Sequence, residues 1–294
     1  MTHQGGKPAE AGEKVTRSTG NTFAGDFWAN FKRWTVKSLR NPFFMFLSLI
    51  QPIIFMILFT QVFGQVATSA INRGPENVSY TTYLVPAIAM QVSLAAAASS
   101  GMGLINDMED GLFEKVLASP MNRSAVFLGK TGAELLLIVV QIGMIVGLGV
   151  LLGGEVAMGW AGAAGIIGVG FLFSIWFVSF SIILAVVTRD QESTALGANI
   201  VQFPILFIST SFLPLRLLPP WIQKVAAVNP VTYGVDAARS FMLGKDFMEV
   251  VQVDVFTGIW NAVVPAVVFL VVLDVCLGVI AVYMLKRATS SKAR

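Results

Sequence analysis

Six stretches of this chain stay apolar for about the length a helix needs to cross a membrane, at approximately 43–64, 81–104, 125–152, 160–187, 195–213 and 259–285. About 20 apolar residues span a hydrocarbon core of roughly 30 Å. A helix satisfies its own backbone in lipid, so six transmembrane helices are expected. Ahead of the first, 26–40 (DFWANFKRWTVKSLR) sets Phe27, Trp28, Phe31, Trp34 and Leu39 near one helical face and Lys32, Arg33, Lys37 and Arg40 largely on the other. That pattern fits a helix lying in the membrane interface with its cations toward anionic headgroups. A helix packed on a soluble partner is the plainer alternative. Between the fifth and sixth stretches, 214–244 is too apolar for an ordinary loop and too interrupted to cross. Pro220 and Trp221 open one short helix, Asn229-Pro230 breaks it, and a second runs to about Leu243 before Gly244. A re-entrant hairpin of two short amphipathic helices in the outer leaflet is expected.

Composition points the same way. Of 294 residues, 55% are hydrophobic and 13% charged, where a soluble domain carries about 25% charged, and the mean hydropathy is +0.73. The fold class is an all-α integral membrane protein. Residues 1–25 are polar and lack an apolar core, which predicts a disordered cytosolic tail and not a signal peptide. With the N-terminus inside, fifteen of the 20 Lys and Arg residues fall on the inner side, and only Arg73, Arg216, Lys224, Arg239 and Lys245 fall outside. Cationic loops stay cytoplasmic, so both termini are expected in the cytoplasm.

No enzymatic constellation is present. The single histidine, His3, lies in the tail, which argues against a histidine-based triad or a zinc site. Residues 124–131 (SAVFLGKT) approach the phosphate-binding pattern G-x-x-x-x-G-K-[ST], but lack its first glycine, its preceding strand and its soluble α/β setting. Lys130 is more simply a positive-inside anchor. Ionisable residues inside spans are functional candidates because their burial is costly. Glu134 lies four residues after Lys130, a spacing that pairs the two on one helical face. Asp274 lies deep in the sixth stretch, either as a proton or substrate contact or hydrogen-bonded to a neighbouring helix. Gly143 and Gly147 form a GxxxG, and 161–170 (AGAAGIIGVG) is equally small, so close helix packing within or between copies is expected.

The polar interruption at 106–124 (NDMEDGLFEKVLASPMNRS) separates the second and third stretches. Asp107, Glu109, Asp110 and Glu114 make its first half acidic, Leu112, Val116 and Leu117 line one helical face with Phe113 beside them, Pro120 stops the helix and Arg123 returns charge to the interface. Such a helix can insert its apolar side into a groove on a soluble partner. A plain loop fits the residues equally well.

Two stretches here resemble the type-2 membrane permeases of ABC exporters, among them the daunorubicin-exporter-like permeases. One is EDGLFEKVLASPMNRSAVFLGK at 109–130, with Gly111 after its acids and Leu112 where the family often has threonine. The other is LPPWIQKVAAVNPVTYGVDAARSFMLG at 218–244, which carries Pro220, Trp221, Asn229, Pro230, Tyr233, Asp236, Arg239 and Gly244. The resemblance implies a membrane subunit that pairs with a second copy, with two separate ATP-binding subunits supplying ATP and Mg and no cofactor on this chain. It also implies a coupling helix over 109–120, a second ATPase contact at 188–194 through Arg189, Asp190 and Glu192, and an outer hairpin over the exit. Export of an amphipathic drug, lipid or lipid-linked glycan across the cell membrane is the expected function. The competing expectation is an ion-coupled secondary transporter, for which Asp274 is the candidate coupling group.

Overall fold

The computed structural model describes residues 22–40, 42–71, 78–111, 121–248, 250 and 255–291. Among them the fold is all helical: α1 (Phe23–Leu39), α2 (Pro42–Ile71), α3 (Tyr80–Glu109), α4 (Arg123–Leu151), α5 (Gly159–Thr188), α6 (Gln191–Phe207), α7 (Pro220–Ala226), α8 (Pro230–Leu243) and α9 (Trp260–Ser291), with a 3-10 turn at Leu215–Leu217. Five of these helices, α2, α3, α4, α5 and α9, are long and apolar enough to cross a membrane.

The fifth apolar stretch differs from expectation. In place of a helix over 195–213, α6 begins at Gln191 and ends at Phe207, and Ile208 to Pro214 leave helical geometry. Seventeen residues at 1.5 Å each reach only about 25 Å. Pro204 sits in its last turn, where its missing N–H weakens continuation.

α3 is the central helix. It packs against α2, α4, α5, α6 and α8, and every residue from Tyr80 to Leu94 is buried. Beyond Leu94 its side chains become small, and at Gly101 α5 comes so close that a Cβ would lie 2.3 Å from the Ser181 carbonyl oxygen. Ser181 Oγ closes this contact from both sides: it donates to Ala98 O at 2.7 Å and accepts from Gly101 N at 2.9 Å. α2 and α9 lie at the outside, with Phe46, Ile50 and Ile54 of one and Val268, Val272 and Val279 of the other exposed. An apolar exterior on crossing helices is what lipid contact requires. The GxxxG of α4 makes no close approach within the chain: a Cβ at Gly147 meets open space, and one at Gly143 reaches only Ile167 at 3.9 Å.

The expected pair of surface helices at 214–244 is also different. α7 is exposed at Trp221 and Val225, but α8 is enclosed by α3, α5 and α9, and Val231 to Ser240 are all buried. Its mix of apolar and polar residues reads as amphipathic along the chain, yet the polar ones face other protein groups.

Because Gly101 has no room for a side chain, Gly101→Ala is expected to separate α3 from α5 and destabilise the fold by about 1–3 kcal/mol. Thermal unfolding in detergent measures it, and an unchanged midpoint would show that this contact adapts freely.

Candidate functional site

Polar residues meet in two clusters, one toward each end of α3. The first, at the hairpin end, is built from the second sequence motif. Arg239 on α8 is fully buried, a costly position unless every donor finds an acceptor. Its Nε donates to Tyr83 O at 3.0 Å, Nη2 to Ser211 O at 2.6 Å and Nη1 to Asp236 Oδ1 at 3.3 Å. The guanidinium also lies 3.6 Å from the centre of the Tyr83 ring, a favourable cation–π position. Asp236 Oδ1 accepts from Thr210 Oγ1 at 2.8 Å. The Tyr83 and Tyr80 hydroxyls donate to Thr210 O and Phe212 O. Asn229 caps α8 through Val231 N, while its Nδ2 donates to Ile205 O and Ile208 O, both at 2.6 Å. The carbonyls that α6 leaves open after Phe207 are thus taken up by α3 and α8.

The motif's members therefore divide by place. Asn229, Asp236 and Arg239 form the buried lock, and Tyr233 braces it by stacking on Phe269 at 4.2 Å and donating to Ala227 O. Pro220 and Pro230 open α7 and α8, and Trp221 faces outward. Arg239, counted along the chain as an outer-loop cation, belongs to the interior.

The second cluster lies at the opposite end, where α3 runs toward the acidic segment. Lys130 on α4 is buried and donates to Asp107 Oδ2 on α3 and to Gly103 O at 2.7 Å. Glu134, one turn further along α4, approaches with Oε1 3.8 Å from the same ammonium, and its Oε2 accepts from Ser100 Oγ. The Trp34 ring of α1 lies 5.0 Å from Lys130 Nζ. Lys130 is thus an interior cation bonded to Asp107 rather than a headgroup anchor. Asp107, grouped in sequence with the docking acids, faces inward, because it falls on the side of α3 that meets α4. Glu109 and Asp110 remain exposed, and Gly111 turns the chain with a φ of 65°.

α1 closes this end. A Cβ on Gly129 of α4 would lie 2.7 Å from Phe27 O, so the two helices touch backbone to backbone. Asp26 of α1 is fully buried, and its Oδ2 accepts from Asn122 N at 2.8 Å. Asn122 in turn caps α4 by accepting from Ser124 N and Ala125 N. The aromatic face of α1 is therefore divided between α4 and the exterior: Phe27, Phe31 and Trp34 are half-buried, and Trp28 is exposed.

Leu112, Glu114, Leu117 and Pro120 lie outside the described residues, and Arg123 opens α4. The turn between α5 and α6 presents Arg189, Asp190 and Glu192 to solvent. Arg189 holds a left-handed φ of 54°, and Asp190 caps α6 by accepting from Ser193 N at 2.7 Å. Hydrogen bonding by Ser193 holds the Asp190 carboxyl below the usual carboxylate range.

These two clusters lie within one region of known likeness. A family model described as ABC-2 type transporter matches residues 25–243, from the first turn of α1 to the last residue of α8. The chain belongs to the ABC-2 type transporter family. It is 28% identical over 234 residues to a putative transport permease ycf38 of Cyanophora paradoxa, across 77% of each chain. It is 26% identical over 197 residues to the daunorubicin resistance ABC transporter permease protein DrrB1 of Streptomyces coeruleorubidus, across 66% of this chain and 67% of that one. The probable doxorubicin resistance ABC transporter permease protein DrrC of Mycobacterium tuberculosis is also 26% identical, across 67% and 69%. This ABC-2 chain is a multi-pass membrane subunit of an ABC transporter.

Asp26 and Lys130 were the residues that pattern reading undervalued in this ABC-2 chain. Each looks like one more surface charge until its neighbour is known. The only forward signal was the Lys130–Glu134 spacing. Asp274 on α9 is buried beside the Trp176 backbone of α5. Gln91, Gln141 and Gln202 point inward, and Gln51 and Asn199 remain on exposed faces.

Removing one member of a buried ion pair strands the other, at a cost of about 3–5 kcal/mol. Arg239→Met is expected to lower stability by that amount, and adding Asp236→Asn is expected to recover part of it in a double-mutant cycle. Additive losses in thermal unfolding would mean the two residues act separately.

Proposed function

We propose that this chain is the permease of an ATP-driven exporter, worked by a separate ATP-binding subunit that docks on 109–120. The observation that carries the reading is that both ends of this segment are tied into the bundle by buried carboxylates, Asp107 on Lys130 and Asp26 on Asn122 N. A segment so held passes a push on it to α1, α3 and α4. An ordinary connecting loop has no need of two interior charges at its roots. Exposed Glu109 and Asp110, together with Arg189, Asp190 and Glu192, supply charge for the same partner.

Two ATP-binding subunits would hold ATP and Mg beneath two copies of this chain. The positive-inside distribution supports a cytoplasmic basic end and cytoplasmic termini in the cell membrane. In this reading α6 and the Ile208 to Pro214 stretch make up the fifth of six crossings, and α7 and α8 cover the exit. The cargo is amphipathic or lipid-like. Gln51 and Asn199, exposed polar residues of α2 and α6, support a path at the face between copies, and two relatives bear the names of daunorubicin and doxorubicin resistance.

One observation favours a second reading. The buried Asp274 carboxyl is what a proton-coupled carrier would keep within the membrane. Transport that collapses with the proton gradient, persists without ATP and fails in Asp274→Asn would establish it.

Coexpression with candidate ABC ATPases followed by copurification tests the first reading. Retention of one ATPase is expected, and Glu114→Arg is expected to lower retention or ATP-driven transport of daunorubicin and fluorescent phospholipid at least tenfold. Normal assembly and transport in that variant would remove the docking role from 109–120.

A further inference from the structure

The cluster at the basic end holds more charge than a brace needs. Lys130 and Asp107 alone would tie α4 to α3. Glu134 adds a second carboxylate facing the same ammonium, 3.8 Å away, with a Ser100 hydroxyl as its other partner. On the α1 side the Trp34 ring centre lies 5.0 Å from the Lys130 ammonium, and Lys37 lies 4.4 Å from the centre of the same ring. One positive charge between two negative ones is an electrostatic cost in a setting only 26% exposed at the Glu134 side chain. Folds retain such costs chiefly where they serve function.

The two carboxylates also stand on different elements. Asp107 is on the last turn of α3, the helix that leads into 109–120, and Glu134 is on α4 with Lys130 itself. Gly103 lets the ammonium and the second carboxylate lie close to α3: a Cβ there would come within 3.3 Å of Lys130 Nζ and 3.6 Å of Glu134 Oε1.

We propose that Glu134 is the second seat of a two-position element, and that Lys130 moves from Asp107 to Glu134 when the end of α3 is displaced by the docked ATPase. The proposal rests on the coupling reading above. From 3.8 Å, the ammonium needs to travel only about 1 Å to reach charge-assisted hydrogen-bond distance. A lysine side chain makes that move by rotamer adjustment while α4 keeps its backbone. Asp107, once released, lies three residues before exposed Asp110, close to water at this end of the bundle. Two discrete pairings give the helix pair two stable relative positions, so displacement of α3 becomes a step. Lys130 and Glu134 are positioning residues and touch neither nucleotide nor cargo.

Glu134→Gln separates this role from a structural one, because the amide still accepts from Ser100 and fills the same volume but offers no second charge. The test uses the full chain with its ATPase in proteoliposomes, with Cys276→Ala and Lys224→Cys carrying a fluorescent thiol label on exposed α7. The readouts are thermal unfolding, ATP hydrolysis, and the change in label fluorescence on adding ATP. Expected are an unfolding midpoint equal to or above that of the parent, retained hydrolysis, and an ATP-dependent signal at least tenfold smaller. A parental signal in Glu134→Gln overturns the proposal, and so does a lowered midpoint with signal falling in proportion, which is the mark of a simple brace. A parent chain that retains no ATPase overturns the coupling reading, and this inference with it. A parent that couples beside a Glu134→Gln chain that couples equally well overturns this inference alone.

Discussion

Arg239 is the interaction on which the hairpin end of this bundle depends. Its guanidinium bonds α3 at the Tyr83 carbonyl, the non-helical stretch at the Ser211 carbonyl, and its own helix at Asp236. In hydrocarbon, a backbone that leaves helical geometry must find donors within the protein. α6 stops at Phe207, and without Arg239, Asn229, Tyr80 and Tyr83 its following carbonyls would be stranded. The short helix and the buried arginine are two sides of one solution, because α6 can end early only where a donor set receives it. That requirement is why α8 sits inside the bundle, and why a chain stretch that resembles a surface hairpin is part of the core.

The basic end solves a different problem. There buried Asp107 and Asp26 tie α3 to α4 and α1 to the start of α4 through one side-chain pairing and one backbone N–H, while Gly129 lets α1 lie directly on α4. α3 belongs to both clusters. Its 30 residues span about 45 Å at helical rise, with the tyrosines at one end and Asp107 at the other. It meets α5 closely where Gly101 faces Ser181.

Much of the architecture was legible in the residues alone. Runs of apolar residues report crossing helices because the bilayer imposes a length and removes water as a partner, and this logic holds for each of α2, α3, α4, α5 and α9. Caps were equally readable: Asn229 before Pro230 and Gly244 after Leu243 act within a few residues of chain, so local sequence suffices. The ABC-2 family assignment spans residues 25–243, from α1 to the end of α8.

What the sequence could not decide was the direction in which a polar side chain points. Asp107 and Asp110 are three residues apart on one acidic run, yet one is buried against Lys130 and the other is exposed. Arg239 and Lys224 both read as outer cations, and only the first is enclosed. Helical periodicity sorts residues by face, but which face meets protein is set by neighbours far away in the chain. Charge, too, is interpretable only with its partner, since a carboxylate in water and a carboxylate bonded to a buried ammonium share the same letter. The sequence by itself determined the five long crossing helices, the glycine cap of α8 and the family; the tertiary structure decided where α6 stops and which charges are interior, because burial is a property of pairs of helices and not of either one alone.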